Sequence, residues 1–166
     1  MSQIFLERMS AGATEPVRAS TYAACYDLYA DVKCRSVKKR TASNKEVQID
    51  TASEDLVLYA NERALIPTGW AMQCPADMSI DFLPRSGLGW KDGISIINTP
   101  GVVDPDYPCE CFVVLVNHSN EPYTIKHGDR IAQMRLMPII QADLTQVDEL
   151  PPIDSNRIGG FGSSGK

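Results

Sequence analysis

Residues 98–107, NTPGVVDPDY, combine turn residues, two carboxylates and an aromatic ring between two apolar runs. The apolar runs at residues 94–97 and 112–116 predict two strands, and the Pro and Gly residues between them predict the bends of a hairpin. A side chain on a loop held at both ends loses little conformational entropy when a ligand binds. Asp104 and Tyr107 are therefore candidates for chemistry. The ordinary alternative is a surface turn in which the Asp caps its own backbone.

A second candidate is the RSG sequence that follows an apolar run ending at Leu83. Arg85 offers a planar set of donors, Ser86 adds a hydroxyl, and Gly87 lets a ligand approach the main chain closely. This combination suits phosphate, particularly at the start of a helix. For so short a motif, the alternative is a Ser that caps a turn between a strand and a helix.

Two further polar residues lie among apolar neighbours. Gln133 is predicted to lie in an alternating strand after a turn at Asp129-Arg130, where its amide needs a hydrogen-bond partner such as a neighbouring backbone group. We expect the Asp129-Arg130 pair to form a turn and an ion pair. Asp27 follows Tyr26 and is expected to be partly shielded and hydrogen-bonded, which is a common structural role for a carboxylate.

The composition indicates one soluble domain with a real core, because a chain of about 150 residues buries about 70% of its unfolded surface. The net charge of −5 argues against stable nucleic-acid binding. We expect no membrane span and no signal peptide, and five unpaired cysteines favour a reducing cytoplasm. The basic cluster at residues 33–40 is interpreted as a solvated loop without a catalytic role.

Short apolar runs with turn residues between them predict an all-β fold, either a barrel or a jelly-roll sheet. A short helix is predicted to begin at residues 86–90. Residues 32–61 are more polar and predict an inserted hairpin whose strands are residues 47–49 and 56–58. The Gly- and Ser-rich end of the chain is predicted to be disordered without a ligand.

Five dispersed segments together resemble the trimeric dUTPase family. They span most of the chain and read ACYDL at 24–28, PRSGLG at 84–89, NTPGVVDPDY at 98–107, GDRIAQ at 128–133 and RIGGFGSSG at 157–165. The resemblance implies a distorted jelly-roll or β-clip barrel at residues 1–150 and a flexible C-terminal arm at residues 151–166. It also implies a homotrimer whose subunits share three sites. The implied reaction converts dUTP and water to dUMP and diphosphate with Mg²⁺, which keeps uracil out of DNA.

The resemblance also implies a role for each candidate residue. Asp104 is the general base, Tyr107 packs against deoxyribose, and Asp27 supports water around phosphates that hold the Mg²⁺. The remaining residues bind substrate: the uracil is read by Asn98, Gly101, Val102 and Val103 and stacked by Phe161, and the phosphates are bound by Arg85, Ser86, Gly87, Gln133, Arg157, Gly162, Ser163 and Ser164. Asp106 could compete with Asp104 on chemistry alone, but the family pattern places the catalytic carboxylate earlier.

The chain departs from the family pattern at four places. Cys25 stands where Gly is usual, and the insertion at residues 32–61 lengthens the chain. Pro108-Cys109 replaces Arg-Gly ahead of Glu110, and Arg157 stands one residue closer to the Phe than is common. The Pro and Cys are expected to alter the support of the hairpin rather than the reacting atoms.

Two rival functions stay open from the sequence. A dCTP deaminase shares the fold and the Asp-containing hairpin, but it needs an acid/base Glu in the outgoing strand, where this chain has Val113, Val114 and Leu115. A nucleotide-sensing regulatory protein that binds a partner protein is the second, because some dUTPases of phage type regulate partners. The resemblance favours a cytoplasmic enzyme in a bacterial or phage-infected host cell.

Overall fold

The structure is a computed structural model that describes residues 3–52 and 55–153. In this part of the chain there are twelve β-strands and one α-helix. Their bounds are β1 Phe5–Arg8, β2 Tyr26–Tyr29, β3 Ser36–Arg40, β4 Glu46–Asp50, β5 Asp55–Leu58, β6 Arg63–Gln73, β7 Met78–Leu83, α1 Ser86–Asp92, β8 Ile94–Ile96, β9 Gly101–Val103, β10 Glu110–Asn117, β11 Tyr123–Lys126 and β12 Arg130–Pro138.

The strands form three antiparallel sheets, which confirms the all-β prediction. A six-stranded sheet has the order β4-β3-β6-β10-β8, with β1 also paired to β6. A four-stranded sheet has the order β2-β12-β7-β9, and β11 pairs with β5. All three sheets contribute to one apolar core, whose fully buried side chains include Leu28, Leu58, Ile66, Ile80 and Leu115. Burial of these side chains is the main source of stability.

Several predicted elements agree closely with the structure. The apolar run at residues 78–83 forms β7, and the helix predicted to start at Ser86 is α1. Strand β6 is longer than its apolar run indicated, because it continues through Pro67 and Gly69. The carbonyls of these two residues accept 2.8 Å hydrogen bonds from the backbone N–H groups of Asp31 and Met9, so neighbouring segments support the extension.

The prediction for residues 32–61 was wrong in its pairing. Both predicted segments are strands, but β4 pairs with β3 in the large sheet and β5 pairs with β11. The basic cluster is also not a solvated loop, because residues 36–40 form β3. Lys39 is buried there, and its ammonium group forms a 2.7 Å ion pair with Glu62 and a 3.3 Å hydrogen bond to the Val57 carbonyl. A paired buried Lys links β3 to the segment between β5 and β6.

Candidate active site

The predicted hairpin is present, and a third strand lies within its loop. Strands β8 and β10 pair antiparallel, with Ile96 opposite Leu115. Between them β9 crosses to the four-stranded sheet, where Gly101 pairs with Phe82 of β7. The loop is therefore held by two sheets, which limits the freedom of the residues that it carries.

The segment predicted to bind uracil, residues 98–103, is closely packed around Gly101. Gly101 is buried, and a Cβ at this position would lie 3.4 Å from the Cβ of Phe82 and 3.5 Å from Nδ2 of Asn98. The exposed Asn98 thus packs against the start of β9. Val102 is exposed and Val103 half-buried. These residues present backbone groups and an amide side chain at one edge of β9.

Asp104 and Tyr107 are joined by a turn. The Tyr107 N–H donates a 3.1 Å hydrogen bond to the Asp104 carbonyl, and both side chains are exposed. The Tyr107 hydroxyl donates to the Glu110 carbonyl at 3.2 Å. Partial burial, with the nearby charges of Cys109, Cys111 and Glu110, raises the pKa of the Tyr107 phenol. The phenol therefore stays neutral and able to donate at physiological pH.

An open cavity of about 530 Å³ lies behind this turn. It is bounded by residues 105–108, by residues 5–7 of β1 and by residues 71–73 of β6. Tyr107 lines the cavity, and Asp104 does not. The cavity therefore lies beside the loop that carries Asp104.

The second group of candidates meets on the four-stranded sheet. In register across the sheet, Gln133 of β12 lies opposite Asp27 of β2 on one side and Leu83 of β7 on the other. The Gln133 amide donates a 2.9 Å hydrogen bond to the carbonyl of Pro84, the residue before Arg85. The backbone partner expected for Gln133 is thus the carbonyl of Pro84, immediately before the RSG motif.

One carboxylate lies between two guanidinium groups in this cluster. Asp27 is half-buried, as expected, and its carboxylate lies 3.4 Å from Nε of Arg85 and 3.2 Å from Nη1 of Arg130. Arg85 also donates a 2.7 Å hydrogen bond to the Arg130 carbonyl. The expected turn forms at Asp129, which accepts a 2.8 Å bond from the Lys126 N–H. Arg130 forms its ion pair across the sheet, a contact that local sequence spacing did not indicate.

Ser86 and Gly87 begin helix α1. The N-cap residue is Arg85, which makes no side-chain capping bond, so Ser86 is not the cap that the alternative interpretation required. Ser86 and Gly87 are exposed, and the space where a Cβ of Gly87 would stand is empty to 4 Å. The first turn of α1 is therefore accessible to an anion beside Arg85.

Glu110 anchors the end of the Asp104 loop. One of its carboxylate oxygens accepts a 2.9 Å hydrogen bond from the Gly69 N–H, and the other lies 2.6 Å from Nη2 of Arg35. Arg35 lies outside the five motifs, within the segment interpreted as an insertion. The sequence carried no signal for this contact, because 75 positions separate the two residues.

Residues 3–52 and 55–153 contain no group of three or more His, Cys, Asp or Glu side chains that could hold a metal ion. Asp27 already contacts two guanidinium groups, so the positive charge of this cluster exceeds its negative charge. The described residues near Asp27 therefore offer guanidinium groups, which suit an anion, and no cluster of carboxylates for a cation.

The remaining predicted residues lie outside the described part of the chain. They are Arg157, Phe161, Gly162, Ser163 and Ser164. Just before them, residues 139–153 form no strand or helix, and apolar side chains such as Ile140 and Leu144 are more than 90% exposed. No helix within the two described ranges is long and apolar enough to cross a membrane.

Solved structures share this fold. A variant of the Staphylococcus bacteriophage 80alpha dUTPase with dUpNHpp matches with a TM-score of 0.77 at 24% identity, covering 98% of each chain. A variant of the dUTPase of phage phi11 of S. aureus, described with a structural Mg(II) ion, gives a TM-score of 0.70 at 22% identity and covers 90% of this chain and 99% of that one.

Sequence comparison gives the family. The dUTPase family model matches residues 47–165. A deoxyuridine 5'-triphosphate nucleotidohydrolase of Nautilia profundicola is 45% identical over 113 residues, which is 68% of this chain and 79% of the relative. One from Anaeromyxobacter sp. is 44% identical over 115 residues, 69% of this chain and 78% of the relative. The chain belongs to the dUTPase family.

Proposed function

We propose that this protein is a dUTP diphosphatase, which hydrolyses dUTP to dUMP and diphosphate. Family membership and the activity named for its bacterial relatives support this function. The observation that carries it is the arrangement around β7. On one side, β12 and the residues after β7 bring Gln133, Arg85 and Asp27 together, and on the other side β9 leads into the Asp104 turn, which is proposed to serve the same cluster of another subunit.

Asp104 is proposed as the general base. Its carboxylate is exposed on a loop held by two sheets, so it can orient a water molecule and accept its proton without a large rearrangement. The attacking oxygen then forms a bond to the α-phosphorus, the bond from that phosphorus to the bridging oxygen breaks, and diphosphate leaves with the bond's electron pair.

Selection of the nucleotide is assigned to the same loop. Tyr107 presents a ring that is 41% exposed, and packing of this ring against the 2′ carbon leaves no room for a ribose hydroxyl. Asn98, Gly101, Val102 and Val103 provide amides and carbonyls along one edge, a pattern that can match the donor and acceptor groups of uracil. A closely approaching backbone also excludes the methyl group of thymine.

The phosphates are assigned to the cluster beside α1. Arg85, Ser86, Gly87 and Gln133 offer a guanidinium, a hydroxyl, an open backbone and an amide within one short region. Bound Mg²⁺ would neutralise charge on the triphosphate, and Asp27 would hold water at that side of the site. The two arginines beside Asp27 hold the orientation of this carboxylate.

The proposed assembly is a homotrimer in which the phosphate cluster, the Asp104 hairpin and the arm come from three different subunits. Residues 151–166 form the arm, with Phe161 stacked on uracil, Arg157 at the γ-phosphate, and Gly162, Ser163 and Ser164 at the phosphates. Exposed apolar side chains on β6 and β10, Leu65 at 37% and Phe112 at 40%, support burial against another subunit. We assign the enzyme to the cytoplasm of a bacterial or phage-infected cell, where it limits uracil incorporation into DNA.

Product analysis tests this function. Purified protein with dUTP and Mg²⁺ is expected to release diphosphate and dUMP, and no ammonia from dCTP. Val113 and Leu115 are buried and Val114 is half-buried in β10, so this stretch has no carboxylate for deamination. Ammonia released from dCTP would overturn the assignment, and binding of dUTP without turnover would favour a nucleotide-sensing regulatory protein.

A further inference from the structure

We infer that Arg35, a residue outside the five motifs, is a positioning residue that holds the Asp104 loop in its reactive geometry through Glu110. This inference rests on the proposed function, since it concerns how that site is kept in place. Arg35 touches neither Asp104 nor Tyr107 in the contacts described above. It acts on the residue where the loop re-enters the large sheet.

The guanidinium of Arg35 bridges two carboxylates. Nη2 lies 2.6 Å from Oε2 of Glu110, and Nη1 lies 2.6 Å from Oδ2 of Asp31. Asp31 is 1% exposed, and its backbone N–H is bonded to the Pro67 carbonyl at 2.8 Å, so this end of the bridge is fixed to the core. A planar guanidinium holds two acceptors at fixed directions, which a single ammonium group cannot do.

The two carboxylates of this bridge stabilise the charged form of Arg35. Burial by itself lowers the pKa of Arg35, but the hydrogen bonds and negative charges of Glu110 and Asp31 outweigh burial and raise the pKa above its ordinary value. The guanidinium therefore keeps its charge. Asp31 also faces Nδ1 of His127 at 3.5 Å, so a second basic side chain lies on its other side.

Glu110 needs a side-chain anchor because the strand ladder is interrupted beside it. The register between β10 and β6 shifts between Glu110 and Phe112. At such an irregularity the backbone ladder alone does not fix the direction of the entering chain. The two bonds of the Glu110 carboxylate, to Gly69 and to Arg35, supply that restraint.

The position of Glu110 directly affects Tyr107, whose ring is proposed to bind the sugar. The Tyr107 hydroxyl donates to the Glu110 carbonyl, and the Tyr107 N–H donates to the Asp104 carbonyl. A shift of Glu110 therefore moves the Tyr107 hydroxyl, and with it the turn that carries the proposed base. The path from Arg35 to Asp104 consists of one ion pair and two hydrogen bonds.

The test compares Arg35→Met with Arg35→Lys and with a control, Arg40→Met. Arg40 forms an ion pair of the same length, 2.6 Å, with the exposed Glu46 at the edge of the same sheet. For Arg35→Met, kcat/KM for dUTP should fall between about 10-fold and about 100-fold, because small displacements of catalytic groups have effects of this size. The preference for dUTP over UTP should fall with it. Arg35→Lys should restore part of both, and Arg40→Met should change neither.

Hydrogen exchange and a second variant, Glu110→Gln, test the inference even where the activity assay or the Arg35→Met variant fails. Hydrogen exchange of the backbone N–H groups between residues 104 and 111, other than the two prolines, reports the loop without any turnover, and it should become faster in Arg35→Met but not in Arg40→Met. If the parent protein does not hydrolyse dUTP, the proposed function fails while this exchange measurement still tests Arg35. If Arg35→Met does not fold, Glu110→Gln removes the same charge pair and should reduce the nucleotide preference. Unchanged exchange together with an unchanged dUTP to UTP ratio in the folded variant would overturn the inference.

Discussion

The side-chain amide of Gln133 donates a 2.9 Å hydrogen bond to the main-chain carbonyl of Pro84. Because Pro84 immediately precedes Arg85, this bond connects β12, a central strand of the four-stranded sheet, to the start of the proposed phosphate cluster. The same Gln lies opposite Asp27, whose carboxylate contacts Arg85. This hydrogen bond and the ion pair of Arg85 with Asp27 thus connect Gln133, Arg85 and Asp27, which the proposed function assigns to the phosphate side.

Replacing Gln133 by Glu should weaken substrate binding. A carboxylate cannot donate to the Pro84 carbonyl, and it adds a negative charge beside the proposed triphosphate. We expect the Kd of a non-hydrolysable dUTP analogue to rise about 10-fold or more, in line with the loss of a half-buried donor and the added negative charge. Calorimetric titration measures this. Gln141→Glu, the same change at an exposed position after β12, is the control. Equal affinities of the two variants would contradict the role of Gln133.

Gly87→Ala should stabilise the fold but weaken binding of the dUTP analogue, whereas Gly89→Ala should only stabilise the fold. Both Gly87 and Gly89 lie in α1, where a Cβ at Gly87 meets nothing within 4 Å and one at Gly89 meets only the Ile94 carbonyl at 3.9 Å. Ala in a helix is better than Gly by about 0.5–1 kcal/mol, so each variant should have a higher free energy of unfolding.

Only Gly87→Ala should weaken binding of the dUTP analogue, because its methyl group occupies the side of the backbone proposed for phosphate. Denaturant unfolding and calorimetry on both variants provide the comparison. A matched loss of affinity in Gly89→Ala would assign the effect to the helix as a whole rather than to phosphate contact.

Gly69→Ala should be among the most destabilising single changes in the fold. Gly69 has φ +77°, and a Cβ there would lie 2.4 Å from the Cβ of Ala13 and 2.9 Å from Oδ2 of Asp31. Backbone strain and overpacking together should cost about 3 kcal/mol or more. Gly128 has φ +81° with nothing within 4 Å of its Cβ position, so Gly128→Ala should cost only the strain, about 1 kcal/mol. Urea unfolding tests both values, and similar losses in the two variants would contradict the steric argument.

Alkaline pH should destabilise the protein through Cys111. Burial raises the pKa of its thiol from 9.0 to about 11. Between these two values the unfolded chain loses the thiol proton while the folded chain keeps it, so the free energy of unfolding falls as pH rises. The slope from this group is at most about 1.4 kcal/mol per pH unit. Cys111→Ala should flatten the fall measured by urea unfolding between pH 9 and 11, and an unchanged slope would argue against a buried neutral thiol.

The sequence predicted the parts of the fold that depend on local pattern. The apolar run at residues 78–83 predicted β7 with its observed bounds, and turn residues around Pro100 and Pro105 indicated the loop between β8 and β10. The strand partners of residues 47–49 and 56–58 were not predicted correctly. Partner choice depends on contacts between distant residues, here including the buried Lys39 and Glu62 pair, and alternation within a segment does not encode it.

In the candidate site too, local residue types were predictable and contacts between distant residues were not. Arg85, Gln133 and Asp27 could be proposed from their residue types and from the family resemblance, and the structure connects them through a hydrogen bond to Pro84 and one ion pair. Arg35 and Arg130 could not be recognised, since each acts on a residue more than 70 positions away. Long-range ion pairs of this kind require the folded sheet.

The most direct test of the central claim is single-turnover hydrolysis of dUTP by Asp104→Asn, compared with Asp106→Asn. Both replacements keep the side-chain shape and remove one carboxylate from the same exposed turn. Loss of a general base should slow hydrolysis between about 100-fold and about 10,000-fold in Asp104→Asn, with analogue binding retained. Asp106→Asn should remain within about 3-fold of the parent enzyme, because removing a carboxylate that takes no part in proton transfer leaves the base in place. Parent-like turnover by Asp104→Asn, or loss of turnover only in Asp106→Asn, would contradict the account.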